Sequence, residues 1–382
     1  MSTIPNEPLP LSGERFVVVY RLKGDARETH QKALDICQEQ SVEFPVDLLP
    51  AGDVREHVLG RLESLTQRDA TTAIAEISYA VETTGLELTQ FLNVVFGNSS
   101  MKPGIRVQEV RLSPALLRAF RGPRFGQAGL REWLGVPARP LLCTALKPMG
   151  LSPRALAEQA YRCALGGIDI IKDDHGLADQ PFATFRERTL RCAEAVARAN
   201  QQTGFHCVYA PNISGPADRV LAQAHFAKVA GAGALLVAPG LVGPDTVRLL
   251  AADDDLALPI LAHPAFQGGW VAHPDGGMAH GVVFGLLPRL MGADATIYPN
   301  FGGRFAFSRE QCREIVEACS KPLAAIRTIF PVPGGGMSLD RVPEMRALYG
   351  RDVIFLVGGG LHRHSDDLVE SSRFFRVMAE QM

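Results

Sequence analysis

Net charge is what this chain has least of: 39 Lys and Arg stand against 41 Asp and Glu across 382 residues, and no basic run exceeds a few residues. That balance excludes the electrostatic footprint of a nucleic-acid binder or of a protein held to an anionic membrane. No stretch reaches the roughly 20 apolar residues of a membrane span. Residues 1–14 carry Pro and Glu where a secretory leader would need a basic end and an apolar run, which predicts a cytoplasmic protein. The seven cysteines contain no C-x-x-C pair and fall mostly in apolar stretches, which predicts reduced thiols packed as small hydrophobes, with no disulfides. The expected partner is a small molecule.

What is present is 46% hydrophobic content, enough for one large domain and a smaller one. The chain changes character near residue 135. Before it, strand-like and helical segments mix: a strand from Glu14 to Leu22, a helix from Ala26 to Gln40, a strand from Thr71 to Ala80, a helix from Glu87 to Gly97 and a strand from Ile105 to Leu112. This reads as a small α+β domain, residues 1–134, ending in a Gly-, Pro- and Arg-rich connection from Arg121 to Pro137.

From Pro140 a short β-rich run followed by a helical stretch repeats about eight times. The runs are Leu141–Lys147, Ile168–Asp174, Phe205–Asn212, Ala234–Ala238, Pro259–His263, Ala295–Tyr298, Ala325–Phe330 and Val353–Val357; helices are expected between them, one of them from Arg309 to Cys319 with Ser308 as N-cap. Such alternation closes into an α/β (β/α)8 TIM barrel, residues 135–382, with function on the loops after the strands. A doubly wound open sheet is the competing arrangement.

Chemistry-bearing residues stand at the strand ends. Lys172-Asp173-Asp174-His175 follows the apolar run of the second strand, Lys147 ends the first and His263 the fifth, and Gly334-Gly335-Gly336 and Gly358-Gly359-Gly360 follow the seventh and eighth. After those last two strands, glycines let backbone N–H groups crowd round a phosphate, although tight turns would use the same residues. An ordinary Lys172–Asp174 ion pair, with His175 in solvent, is the plain alternative for the second-strand cluster.

Thr144 to Gly150 (T-x-x-K-P-x-G), Gly166 to Asp174 (G-G-x-D-x-x-K-D-D), the fifth-strand histidine and the two Gly triplets together resemble the large subunit of RuBisCO, and more closely the RuBisCO-like proteins of form IV, which do not fix CO2. The resemblance spans nearly the whole chain and implies a ferredoxin-like α+β domain before the barrel. It also implies that CO2 carbamylates Lys172, which with Asp174 and His175 binds Mg2+. His175 stands where RuBisCO has a glutamate, so Mn2+ or Zn2+ would be better tolerated. By the same resemblance Lys147 transfers protons, His263 lies near the substrate, the Gly triplets hold phosphate, and Asn300 and Arg304 fall in the substrate-binding region after the sixth strand. Glu39 and Asn93 are the small-domain residues that would complete a partner subunit's site, making the protein a homodimer or larger homo-oligomer; a plain helix-surface charge is the alternative for Glu39.

Met149 takes the place of a second RuBisCO lysine. Lys228 is the sole lysine between Lys172 and Lys321. The carboxylase's loop lysine is therefore missing, and carboxylation is not expected. The first expectation is a lyase that decarboxylates a 3-oxo sugar-acid phosphate, of the 3-oxo-isoapionate 4-phosphate type, to a ketose phosphate. Transcarboxylation with hydrolysis on the same substrates, and enolase or isomerase action on a methylthio ketose phosphate, are the family alternatives. A metal-free Schiff-base lyase using Lys147 or Lys172, and a non-catalytic sugar-phosphate binder, are the alternatives outside it.

Overall fold

The computed structural model describes residues 8–305 and 307–381. They form two compact units. The first runs through Phe120 and includes Gly268–Val283 and Leu323–Ala325; the second comprises Arg121–Gln267, Phe284–Pro322 and residues from Ile326 onward.

In the first unit, strands β1 (Arg15–Lys23), β2 (Arg61–Asp69), β3 (Thr72–Ala80) and β4 (Ile105–Arg111) pair antiparallel in the order β4-β1-β3-β2. A two-residue strand, Gly277–Met278 (β10 in chain order), adds to β4 in parallel. The helix Ala26–Glu39 is started by a capping box between Asp25 and Glu28, and buries Thr29, Ala33, Ile36 and Cys37. Phe16 packs against Tyr79 and Phe91, and Phe91 against Phe120, with ring centroids 5.6 Å apart in each pair. Strand β2 was not expected. Its apolar residues, Leu62 and Leu65, are spaced by three, so the two-residue alternation of a half-buried strand is missing; it is an exposed edge strand guarded by charge.

Among the described residues the second unit holds eight parallel strands: β5 (Leu141–Leu146), β6 (Ile170–Asp173), β7 (Val208–Ala210), β8 (Leu235–Val237), β9 (Ile260–Ala262), β11 (Ala295–Pro299), β12 (Phe330–Gly334) and β13 (Ile354–Leu356). They form two ladders, β13-β5-β6-β7 and β12-β11-β9-β8, joined by a bridge between Asn212 and Leu236. Alternate residues point inward, and Leu141, Cys143, Ile170, Ala210, Leu236, Leu261, Ala295, Ile297, Phe330, Val332, Ile354 and Leu356 pack into one core. This is the TIM barrel, on which the open sheet gives way.

Two expectations need correction. The seventh strand is Phe330–Gly334 rather than Ala325–Phe330, because two prolines at 331 and 333 hide it from a strand reading. Phe330 N donates to Asp294 O, and Gly334 O accepts from Asn300 N, so the even-numbered residues bond towards β11 and its extension. The nitrogens of Pro331 and Pro333 therefore face β13 without a hydrogen to give. Among the described residues no ladder joins β12 to β13, which places one seam of the barrel there. The second correction concerns residues 121–137, which are more than a connection. A helix at Gly126–Leu134 sends Leu130 and Leu134 into the barrel core, so the second unit begins ahead of the expected 134/135 division. Asp294 fastens that helix by accepting from the N–H groups of Phe125 and Gly126, while its other oxygen accepts from Ile260 N.

All seven cysteines are buried free thiols. Burial pushes Cys143 up to about 12, which leaves it inert at neutral pH. No described helix is long and apolar enough to cross a membrane.

Candidate active site

Strand parity decides which side chains reach the mouth of the barrel. On β5 the inward series Leu141, Cys143, Ala145 leads to Lys147; on β6, Ile170 and Lys172 lead to Asp174; on β9, Leu261 leads to His263. These residues converge. Lys147 Nζ donates to Asp174 Oδ2 at 2.7 Å, and Asp174 Oδ1 lies 3.3 Å from His175 Nδ1. The His175 ring stacks on that of His263, with centroids 4.6 Å apart and planes inclined by 16°. Asp174 thus takes Lys147 as its ion-pair partner, and the plain Lys172–Asp174 pair is replaced by this arrangement.

Lys172 is only 2% exposed and donates to Asp173 O at 3.0 Å. Burial draws its amine below the ordinary lysine value, and the charge of Lys147 adds to that. Burial alone would raise the Asp174 carboxyl, yet the hydrogen bonds from His175 and Lys147 and the charge of Lys172 outweigh it and hold the group well below the usual carboxylate range. His263 is held well below 6.5, first by burial and then by Lys172 and His175. Its Nδ1 accepts from Ala265 N at 3.1 Å, so the neutral ring carries its proton on Nε2. The mouth therefore holds a fixed carboxylate, a poised amine and a neutral imidazole.

Asp173 has the opposite parity and faces the helix layer. Its carboxylate accepts from Arg188 Nε at 3.0 Å, Tyr209 OH at 2.7 Å and Asn212 N at 3.0 Å, with the Asp173 and Arg188 side chains wholly buried. Two adjacent carboxylates therefore have different duties. Asn212 stands at the end of the expected third strand, whereas Arg188 and Tyr209 were not anticipated; the parity of Asp173 and Tyr209 on neighbouring strands is the signal that would have found the pair.

The Gly triplets meet each other and the mouth. A Cβ on Gly358 would stand 3.5 Å from Lys147 Cε, and one on Gly360 would lie 2.6 Å from Met337 O, just past the other triplet. Gly336 has φ +87°, and a Cβ there would come within 2.9 Å of Arg304 Cγ; Arg304 N donates to Gly335 O. Gly334, Gly335, Gly336, Gly358, Gly359, Gly360 and Arg304 are thus drawn to one rim, where Gly359–His364 forms a short helix. Asn300 is a correction. It is fully buried, and its amide is spent on Tyr349 and Met337, so it supports the loop from behind instead of reaching a ligand. In the first unit, Glu39 accepts from Asn98 Nδ2 at 2.9 Å, while Asn93 bonds Gln90 through its side chain and Gln40 through its carbonyl.

Comparison with known proteins gives the family and the fold. Residues 126–382 match the family described as the ribulose bisphosphate carboxylase large chain, catalytic domain. The chain belongs to the RuBisCO large-chain family. It is 41% identical to a 5-methylthioribulose-1-phosphate isomerase of Rhodospirillum rubrum, over 95% of each chain. The crystal structure of a RuBisCO-like protein from Rhodopseudomonas palustris superposes with a TM-score of 0.86 at 40% identity, covering 96% of this chain and 97% of that one. Octameric RuBisCO from Pyrococcus horikoshii gives 0.89 at 27% identity, covering 98% and 89%. This chain is accordingly RuBisCO-like, a member of an enzyme family.

The cation implied by the family can be tested against the donors present. Among the described residues no group of three His, Cys, Asp or Glu is gathered to hold a metal ion. Asp173 is committed to Arg188, which leaves Asp174 and His175 and the buried amine of Lys172. An ammonium repels a cation; an amine whose proton affinity is lowered by burial is the form that adds CO2 and becomes an oxygen donor. The donor set fits a divalent ion on condition that Lys172 is carbamylated.

Proposed function

We propose that this RuBisCO-like protein enolises a phosphorylated ketose and returns the proton at a neighbouring carbon, an isomerase or enolase reaction without CO2 fixation. The observation that carries the reading is Lys147: its Nζ lies 2.7 Å from Asp174 beside the buried Lys172, and its stem lies against Gly358 of the phosphate rim. Proton mover and anion holder are thus adjacent. The 41%-identical relative named as a 5-methylthioribulose-1-phosphate isomerase supports a phosphorylated ketose as the substrate class.

The rim of Gly334–Gly336 and Gly358–Gly360, with Arg304, holds the phosphate and so fixes the carbon chain over Lys147. Asp174 keeps Lys147 Nζ aimed at the mouth, where it takes the proton from the substrate carbon as an amine and returns it to the neighbouring carbon as an ammonium. His263, neutral with its proton on Nε2, donates a hydrogen bond to a substrate oxygen without adding charge. Asp174, His175 and, once carbamylated, Lys172 would hold a divalent cation, Mg2+ or with His175 also Mn2+ or Zn2+, which would supply Lewis-acid stabilisation of negative charge on the substrate's oxygens. Met149, 52% exposed at the mouth, leaves the site without the second lysine of the carboxylase, and Lys228 lies on the outer helix Val220–Val229. The protein works as a homo-oligomer, a reading supported by the octameric relative, and on the family resemblance Glu39 and Asn93 complete a partner's site.

Decarboxylation of a 3-oxo sugar-acid phosphate is the second reading, and one observation favours it. Asp174 is committed to Lys147 and His263 Nδ1 to Ala265 N, whereas loss of CO2 needs an acid and no carboxylate base. Both readings are separated by incubating the bicarbonate- and Mg2+-loaded protein in D2O with 5-methylthioribulose 1-phosphate and, separately, with a 3-oxo sugar-acid phosphate. Solvent deuterium in the first product, abolished in Lys147→Met, is the expected result. CO2 from the second substrate without exchange into the first would establish the decarboxylase instead. Full activity in chelator, with borohydride trapping substrate on a lysine, would overturn both.

A further inference from the structure

The β6 ladder ends at Asp173, and the five residues that follow, Asp174 to Ala178, carry two of the site's donors without any strand to hold them. Inside this segment a single backbone hydrogen bond, Leu177 N to Asp174 O, sets a turn. The remaining anchors come from elsewhere. Arg188, in the first turn of the helix Phe185–Thr203, donates Nε to Asp173 at the start of the segment, and a terminal nitrogen to Ala178 O, at 2.7 Å, at its end. Asn212, beyond β7, gives one hydrogen of its side-chain amide to His175 O at 3.0 Å and the other to Leu177 O at 2.9 Å, while its backbone N–H donates to Asp173. Tyr209 OH closes the group on the other Asp173 oxygen.

We infer that Arg188, Tyr209 and Asn212 form a positioning clamp, with Asp173 as its hub, that fixes the segment 174–178 so that Asp174 meets Lys147 and His175 stacks on His263. None of the three touches the reacting atoms. Asn212 matters most, because it alone grips the carbonyls on both sides of Gly176; Gly176 O itself accepts from Gln180 Nε2 at 2.7 Å and Ala178 N donates to Gln180 Oε1 at 2.9 Å, and a loop peptide bonded at each of these carbonyls has little freedom to rotate. Both amide hydrogens are used, and Asn212 Oδ1 accepts from Ser214 N, so the side chain has one orientation only. Tyr209 acts one step further back, by holding the carboxylate from which the segment departs, and Arg188 holds that carboxylate as well as Ala178 O at the segment's end. The inference rests on the cation site proposed above for its functional reading, although the clamp itself is a property of the metal-free chain.

The test uses the full-length protein and two variants. Asn212→Ser removes the grip on both carbonyls; Tyr209→Phe removes one bond to the hub, keeps the ring, and carries the test if Asn212→Ser does not fold. Mn2+ titration followed by electron paramagnetic resonance in bicarbonate buffer is read beside amide hydrogen exchange of the metal-free proteins. Expected for Asn212→Ser is Mn2+ affinity reduced by about 10- to 100-fold, the usual effect of losing the partner of a ligand, with faster exchange confined to the peptide covering 174–178. Tyr209→Phe shifts both in the same direction by less. Faster exchange spread evenly over the chain would mark a general structural role and overturn the inference, as would unchanged affinity with unchanged local exchange. If wild-type protein takes up no Mn2+, the cation in the proposed function fails, and the clamp is judged by exchange alone.

Discussion

Asp173 and Asp174 are adjacent, identical in chemistry and predicted to fail in opposite ways when neutralised. Asp173→Asn keeps the shape but strips the counter-charge from Arg188, whose side chain has no exposure, and it turns an NH2 group towards one of the donors that Asp173 now accepts. Breaking a buried pair by removing one partner costs about 3–5 kcal/mol. Against a total stability of about 5–15 kcal/mol that is a large share, and at about 2–4 °C per kcal/mol the melting temperature should fall by roughly 6–20 °C. Asp174→Asn breaks the pair with Lys147, whose side chain is 34% exposed, so the stability loss is about 0–1 kcal/mol. Activity, by contrast, should drop about 10²- to 10⁴-fold, because Lys147 loses the group that aims it. Urea unfolding and calorimetry, paired with turnover measured far below either melting point, separate the two. Should Asp174→Asn unfold as early as Asp173→Asn, or Asp173→Asn lose under 1 kcal/mol, the division of duties drawn from strand parity is wrong.

Lys172→Ala should abolish both turnover and the bicarbonate dependence of divalent-ion binding while leaving the fold intact by circular dichroism; bicarbonate-dependent binding that survives would remove the carbamate from the scheme. Gly336→Ala places a methyl group against Arg304 in a left-handed backbone, and should raise KM for the phosphorylated substrate more than it lowers kcat. Two buried groups set opposing slopes in acid. His280 is pulled down to about 4, by burial and then Arg106, so its native state resists a proton that the unfolded chain takes up near 6.5; stability is lost as pH falls from about 6.5 to 4, and His280→Gln should flatten that limb. Asp294 is pushed up to about 6 by burial, against three backbone donors, so its contribution is complete below about 3.9 and fades as pH rises through 6; Asp294→Asn should make the acid-side loss steeper, read from urea midpoints between pH 4 and 7.

Much of the barrel was legible because its strands are short apolar runs at a regular interval, each ending in polar or glycine residues, and the structure places Lys147, Lys172, Asp174, His175 and His263 at one mouth. The Ser308 cap and its helix were readable for a local reason: the Ser308 and Gln311 side chains satisfy each other's backbone donors, a pattern contained within four residues. What escaped was non-local. Phe330–Gly334 is a strand because β11 offers it partners, a fact that outweighs two prolines. Asn300 sits in the right stretch of sequence, but its direction depends on Tyr349, 49 residues away. The clamp on Asp173 draws on a helix and on a neighbouring strand, and only the fold brings Arg188 and Tyr209 to the same carboxylate.

The proline-lined seam has a consequence for how this mouth keeps its dimensions. Lys147, Lys172 and Gly358 extend from one ladder, His263 and Gly334 from the other. With no backbone rungs across β12 and β13 among the described residues, the gap between the two Gly triplets is set there by the bulk of Phe330, Val332, Ile354 and Leu356 in the interior. Aperture is governed by apolar volume, so a methylene gained or lost deep in the barrel reaches the mouth as a change in span.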